Sequence, residues 1–205
     1  MRIGVLGGTF DPIHQAHLIV AEEARVQLDL GEVIIIPTGT PWMKAGRSVT
    51  SGEHRLNMAR LATSSNPFFK VSSMEVDRNG PSYTIDTLEA LRKEYGDSVK
   101  LFFILGMDSI REFHRWKDPE KILNLANLVI VTRSGHNGFE IGSLNGITQG
   151  AGGRVVVIDG IAIDISGSAL RKRLIEGQSI RYRVSDAVAE YIRKNGLYSR
   201  EMLGA

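Results

Sequence analysis

Two histidines three residues apart, His14 and His17, close the stretch Gly7-Gly8-Thr9-Phe10-Asp11-Pro12-Ile13-His14-Gln15-Ala16-His17. Paired glycines let backbone N–H groups approach an anion, and a helix start adds unpaired donors and about half a positive charge. The three-residue spacing puts both imidazoles on one face of that helix, where phosphates would lie. Two familiar phosphate motifs are absent, since neither G-x-G-x-x-G nor G-K-[ST] occurs here. Imidazoles at this spacing can also hold zinc, but no third ligand stands at a recognisable distance, so no metal site is assigned. A histidine alone at a helix start is more often a surface or capping residue, and it is the glycine-rich prefix that points to phosphate.

A second stretch follows the same logic. Ile165-Ser166-Gly167-Ser168-Ala169-Leu170-Arg171 leaves a strand-like segment and opens a helix. Ser166 can cap it, and Ser168 and Arg171 share one face, so two hydroxyls, a guanidinium and free N–H groups make another anion cradle. Standing alone, it would read as an ordinary capped helix with a surface arginine.

The elements that must position these groups alternate. Short β-branched runs at Arg2 to Leu6, Val33 to Ile36, Val71 to Val76, Leu101 to Leu105, Leu128 to Thr132 and Val155 to Ile158 read as strands. Amphipathic stretches lie between them: Ile13 to Gln27, one opening at the capping box Thr50-x-x-Glu53, Tyr83 to Glu94, Ser168 to Glu176 and Ser185 to Lys194. Several strands are apolar throughout, as strands buried on both faces are. The fold class is therefore α/β, a Rossmann-like doubly wound parallel sheet with a small helical C-terminal portion from about Ile165. In such sheets ligands bind at the carboxyl edge, where the Gly7-Gly8 turn falls.

The 205 residues, 42% hydrophobic and 23% charged, fit one globular domain over 1–205. A folded chain of this mass buries roughly 70% of its surface, enough for a core without staples. Cysteine is absent, which excludes disulfides and thiolate sites and fits a reducing compartment. The net charge of +2 is too mild for a nucleic-acid footprint. No apolar run approaches the ~18 residues of a membrane span, and the first glycines come too early for a signal peptide. A cytoplasmic protein with no membrane or nucleic-acid partner is expected, with homo-oligomerisation left open. Glycine is in excess, 22 residues, and is concentrated in Gly135 to Gly153, which reads as an exposed loop.

The early and late phosphate motifs together resemble the nucleotidylyltransferase superfamily, with its T/H-x-G-H and I-S-[ST]-x-x-[IL]-R signatures. Further blocks resemble the nicotinate mononucleotide adenylyltransferase family within it: Glu75-x-x-Arg78-x-Gly80-Pro81-Ser82-Tyr83-Thr84, Gly106-Met107-Asp108-Ser109 with Trp116, and Gly196-Leu197-Tyr198. The resemblance runs from Arg2 to Tyr198. Four positions depart from the family pattern. Ala16 replaces a glycine between the histidines, Met43 replaces the histidine of P-P-H-K while Lys44 survives, Ser168 replaces threonine, and Ser134 replaces a proline after Arg133.

The resemblance implies a reaction: ATP and nicotinate mononucleotide give deamido-NAD and pyrophosphate, with Mg²⁺ carried on the ATP phosphates. It also implies roles. Gly8, Thr9 and Phe10 with His14 and His17 hold the α-phosphate, Ser166, Ser168 and Arg171 hold the β- and γ-phosphates, and Gly106 joins the ATP set. Lys44 meets the mononucleotide phosphate, and Arg133 belongs to the same set. Trp116 stacks on the pyridine, the N–H groups of Tyr83, Thr84 and Ile85 take its carboxylate, and Asp108 accepts ribose hydroxyls. Phosphoryl chemistry of this kind needs positioning and charge stabilisation more than a nucleophile. Rival readings are a phosphopantetheine adenylyltransferase, a cytidylyltransferase, and a noncatalytic nucleotide-sensing or RNA-binding module.

Overall fold

The computed structural model describes residues 1–42, 48–106, 109–110, 112–133, 154–160 and 163–199. Lys44, Met43, Asp108, Ser134 and the Gly135 to Gly153 segment lie outside them, as do the side chains of Arg133 and Asp159.

Six strands form one parallel sheet: β1 (Arg2–Gly8), β2 (Glu32–Pro37), β3 (Phe69–Val71), β4 (Lys100–Gly106), β5 (Ala126–Arg133) and β6 (Val155–Gly160), in the order β3-β2-β1-β4-β5-β6. The connecting helices are α1 (Gln15–Gln27), α2 (Gly52–Thr63), α3 (Thr84–Tyr95), α4 (Pro119–Leu125), α5 (Gly167–Ile175) and α6 (Asp186–Lys194). This is the doubly wound order the alternation predicted, and the order reverses between β1 and β4.

Alternation along the strands makes two cores. Phe102 and Ile104 of β4 face Ala21, Ala24, Met58 and Val188 on one side, while Leu101, Phe103 and Leu105 face Leu88, Leu91 and Ile122 on the other. Both faces of the sheet are covered, which is why the central stretch Leu101–Leu105 carries no polar residue. Gly4 makes room in the first layer: a Cβ there would sit 2.9 Å from Leu30 Cδ1 and 3.1 Å from Val33 Cγ2, so the neighbours would have to shift.

Four details differ from the sequence reading. The third strand is Phe69–Val71, not Val71 to Val76: after Ser72 the chain turns, with Asp77 N donating to Ser73 O at 2.9 Å and Ser73 Oγ to Asp77 at 2.6 Å. Serine and aspartate side chains there compete with strand pairing. Ser51, not Thr50, caps α2, accepting from His54 N at 3.3 Å. The first helix begins at Gln15, with Ile13 buried in the core and His14 extended at φ −146°. A short helix, Pro119–Leu125, was missed, although proline in the first turn is its signal.

Candidate active site

The carboxyl ends of β1 and β4 open into a cavity of about 530 Å³. Its floor includes Gly8 from β1 and Gly106 from β4, one on each side of the point where strand order reverses. Among the described residues nothing lies within 4 Å of where a Cβ on Gly106 would stand.

The loop after β1 forms one wall. Gly8, Thr9, Phe10, His14 and His17 all line the cavity. Phe10 sits at φ +49°, a conformation that costs a non-glycine residue and that the surrounding packing must impose. A side chain on Gly8 would come within 2.7 Å of the Phe10 ring, so the glycine lets that ring tuck under the loop. His14 is the N-cap of α1 and His17 the third helical residue. Their rings stack at 3.6 Å, and His14 N donates to His17 Nδ1 at 3.2 Å.

The pair is thus an N-cap and a first-turn residue rather than two residues on a helical face. The start of α1 is also less open than expected. Gln15 N already donates to Arg183 O and His17 N to His14 O, both at 2.9 Å. Contact with an anion is thus left to the Gly8–Phe10 backbone, the imidazoles and, of the first turn, the backbone of Ala16, which lines the cavity. Burial lowers the His14 pKa to about 4, so at neutral pH its ring is uncharged and works by hydrogen bonding.

The start of α5 forms a second wall. Ser166 Oγ caps it, accepting from Ala169 N at 3.2 Å, and Gly167, Ser168 and Arg171 line the cavity. Ser166 is not among the lining residues, because its hydroxyl is turned to the cap. Arg171 bridges the two walls: Nη1 donates to Asp11 O at 2.6 Å, and Nη2 to Ser168 Oγ at 3.3 Å. Gly167 is needed for this approach, since a Cβ would lie 2.8 Å from Asp11 O.

The far end belongs to Trp116, Tyr83 and Thr84, all lining the cavity. Trp116 packs edge-on to Phe103 at 5.9 Å, and its Nε1 is buried with no hydrogen-bond partner among the described residues. An orphaned donor on a cavity wall is an invitation to a ligand acceptor. Among the described residues no side chain caps α3 at Tyr83, which leaves its first N–H groups to an anion. The side chain of Ile85 is 2% exposed and packs in the core, so its backbone N–H, the group expected to serve here, is what it can offer the site. Lys117 stands nearby, 3.0 Å from Asp86 and over the Tyr83 ring.

Glu75 and Ser82 turn out to be structural supports. Glu75 is buried, its carboxyl pushed up by desolvation, and it accepts from Thr87 Oγ1 at 2.7 Å. Ser82 Oγ accepts from Gly39 N at 3.1 Å, and a Cβ on Gly39 would clash with Glu75 O at 2.0 Å. The block around Pro81 thus clamps the start of α3 to the loop after β2.

Arg55 was not anticipated. It is 1% exposed and donates to four backbone carbonyls: Thr50 and Thr9 at 2.8 Å, Thr38 at 2.6 Å and Gly39 at 2.9 Å. It pins the loops after β1 and β2 together. Among the described residues no three His, Cys, Asp or Glu side chains gather as metal ligands, and no helix is long and apolar enough to cross a membrane.

Comparison with known proteins agrees with this geometry. A family model described as cytidylyltransferase-like matches residues 5–173. A protein of Roseiflexus sp. (strain RS-1), described as a probable nicotinate-nucleotide adenylyltransferase, is 46% identical over 96% of this chain and 97% of its own. One from Acidothermus cellulolyticus with the same description is 44% identical over 97% of this chain and 95% of its own. The structure of the Plasmodium falciparum nicotinic acid mononucleotide adenylyltransferase complexed with NaAD superposes with a TM-score of 0.78, at 23% identity over 96% of this chain and 97% of that one, which shows a shared fold. The chain belongs to the cytidylyltransferase-like family and, within it, to the nicotinate-nucleotide adenylyltransferases.

Proposed function

We propose that this chain joins ATP and nicotinate mononucleotide into deamido-NAD with release of pyrophosphate. The observation that carries the reading is that both motif sets line one cavity at the β1/β4 switch point, the phosphate loop and Arg171 at one end, Trp116 and the start of α3 at the other. In the reaction a 5′-phosphate oxygen of the mononucleotide attacks the α-phosphorus of ATP in line. The bond from that phosphorus to the α–β bridging oxygen breaks, and pyrophosphate leaves with the electron pair.

The Gly8–Phe10 backbone, neutral His14 and His17 hold the α-phosphate as charge shifts onto its oxygens. Arg171, Ser168 and the N–H groups opening α5 receive the β- and γ-phosphates. Trp116 offers its face to the pyridine, and the start of α3 takes the carboxylate. Lys44 and Arg133 serve the mononucleotide phosphate, and Asp108 the ribose. Mg²⁺, carried on ATP and not held by a protein cage, would supply charge neutralisation at the phosphates beside Ser168 and Arg171. Asp11, the carboxylate beside Arg171, is committed to Tyr198 at 2.7 Å and is a poor candidate to hold the ion. Residues 1–205 act as one catalytic unit in the cytoplasm, on small phosphorylated substrates rather than nucleic acid.

The test is pyrophosphate release with ATP, Mg²⁺ and one acceptor at a time: nicotinate mononucleotide, nicotinamide mononucleotide or phosphopantetheine. Release with nicotinate mononucleotide supports the reading. Release with phosphopantetheine alone, or with no acceptor, overturns it.

A further inference from the structure

Tyr198 lies near the end of the described chain, yet it reaches the phosphate loop. Its Oη donates to Asp11 Oδ1 at 2.7 Å, with Tyr198 2% and Asp11 7% exposed. The turn that delivers it is unusual, with Gly196 at φ +59° and Tyr198 itself at φ +62°. A tyrosine held in the left-handed region is over-determined by its surroundings. Here they are the core around Phe10 and Ile13, in which Leu197 and Tyr198 are both buried.

Asp11 is therefore the meeting point of three segments. Tyr198 holds one carboxylate oxygen. The other, Oδ2, lies 3.7 Å from Arg171 Nη1, which donates instead to the Asp11 carbonyl at 2.6 Å. A carboxylate at this distance from a guanidinium would ordinarily close into a bidentate pair at hydrogen-bond distance. With Oδ1 engaged by Tyr198, Oδ2 stays at 3.7 Å instead of closing onto Nη1, and among the described residues Arg171 gives N–H groups to Asp11 O and Ser168 Oγ, the rest of its five donors remaining for the cavity.

We propose that Tyr198 is a positioning residue for ATP: by holding Asp11, it keeps Arg171 from being captured by that carboxylate and leaves it available to the β- and γ-phosphates. The inference rests on the ATP assignment above. It gives the terminal Gly196-Leu197-Tyr198 turn a role at a site 187 positions away in sequence.

Tyr198→Phe keeps the ring and removes only the hydroxyl. Binding of a non-hydrolysable ATP analogue, measured calorimetrically, should weaken about tenfold, the effect of losing one hydrogen bond to a charged group. The KM for nicotinate mononucleotide should stay within twofold of wild type. Adding Asp11→Asn to Tyr198→Phe should restore analogue affinity to within threefold of wild type, since a neutral amide does not capture a guanidinium.

Equal weakening toward both substrates, or no rescue by the second substitution, would show a merely structural role and overturn the inference. If Tyr198→Phe fails to fold at the assay temperature, Asp11→Asn alone decides. An analogue Kd within threefold of wild type supports the inference, and a tenfold loss overturns it. A wild-type chain that binds no ATP analogue overturns the ATP assignment as well, whereas normal wild-type binding with an unchanged Tyr198→Phe overturns this inference alone.

Discussion

Replacing Arg55 with Met keeps a long apolar stem and deletes the guanidinium that serves four carbonyls at 2.6–2.9 Å. Hydrogen bonds to a charged group contribute ~1.5–3 kcal/mol each, so four of them amount to roughly 6–12 kcal/mol. Against this stands the desolvation of a guanidinium that is 1% exposed, which lowers its pKa and returns several kcal/mol when the charge is removed. The net expected loss is about 3–5 kcal/mol, because the carbonyls of Thr9, Thr38, Thr50 and Gly39 are left without their donor. For a chain of this length, that lowers Tm by roughly 10 °C. Urea and thermal unfolding followed by far-UV circular dichroism measure it. Arg55→Lys, which keeps charge but not the fork, should fall between Met and wild type. An Arg55→Met protein within 1 kcal/mol of wild type would refute the reasoning that this residue pins the two loops.

Further consequences bear on the site itself. His17→Ala should cut turnover by ~10²–10³ with unchanged circular dichroism, as losing one group that stabilises developing charge does; a near-wild-type turnover number would remove His17 from the mechanism. Trp116→Ala should raise the KM for the mononucleotide more than that for ATP, and equal effects would make Trp116 a packing residue. His14 has a folded pKa lowered from 6.5 to about 4 by burial, so the unfolded chain binds more protons between those values. Its contribution is whole above pH 6.5 and is lost as pH falls toward about 4, on the order of 3 kcal/mol, and His14→Asn should flatten that part of the stability profile.

The sheet was legible because its strands are buried on both faces and their apolar runs have no other use. The edge strand was misplaced because Ser72 and Ser73 follow a short run that no second neighbour extends, and local hydrogen bonds won. Glycine-rich loops and caps were readable, since their chemistry is local: Gly7-Gly8 and Ser166 sit where their spacing put them. Arg55 and Tyr198 were not readable as site residues. Both act through partners that only folding brings near, Thr9 at 46 residues' separation and Asp11 at 187. An arginine on an amphipathic helix looks solvent-facing until its four carbonyls are in place. The buried clamp shows the converse: Glu75 and Ser82, which belong to the block resembling the mononucleotide branch, join Thr87 in carrying the loop that frames the cavity.

The central claim is direct adenylyl transfer within this one cavity. Rapid-quench mixing of the protein with ATP labelled at the α-phosphate, Mg²⁺ and nicotinate mononucleotide tests it most directly. Label should pass into deamido-NAD with one pyrophosphate released per dinucleotide and none attached to protein at any time. Label trapped on the protein, or released only as AMP, would contradict it.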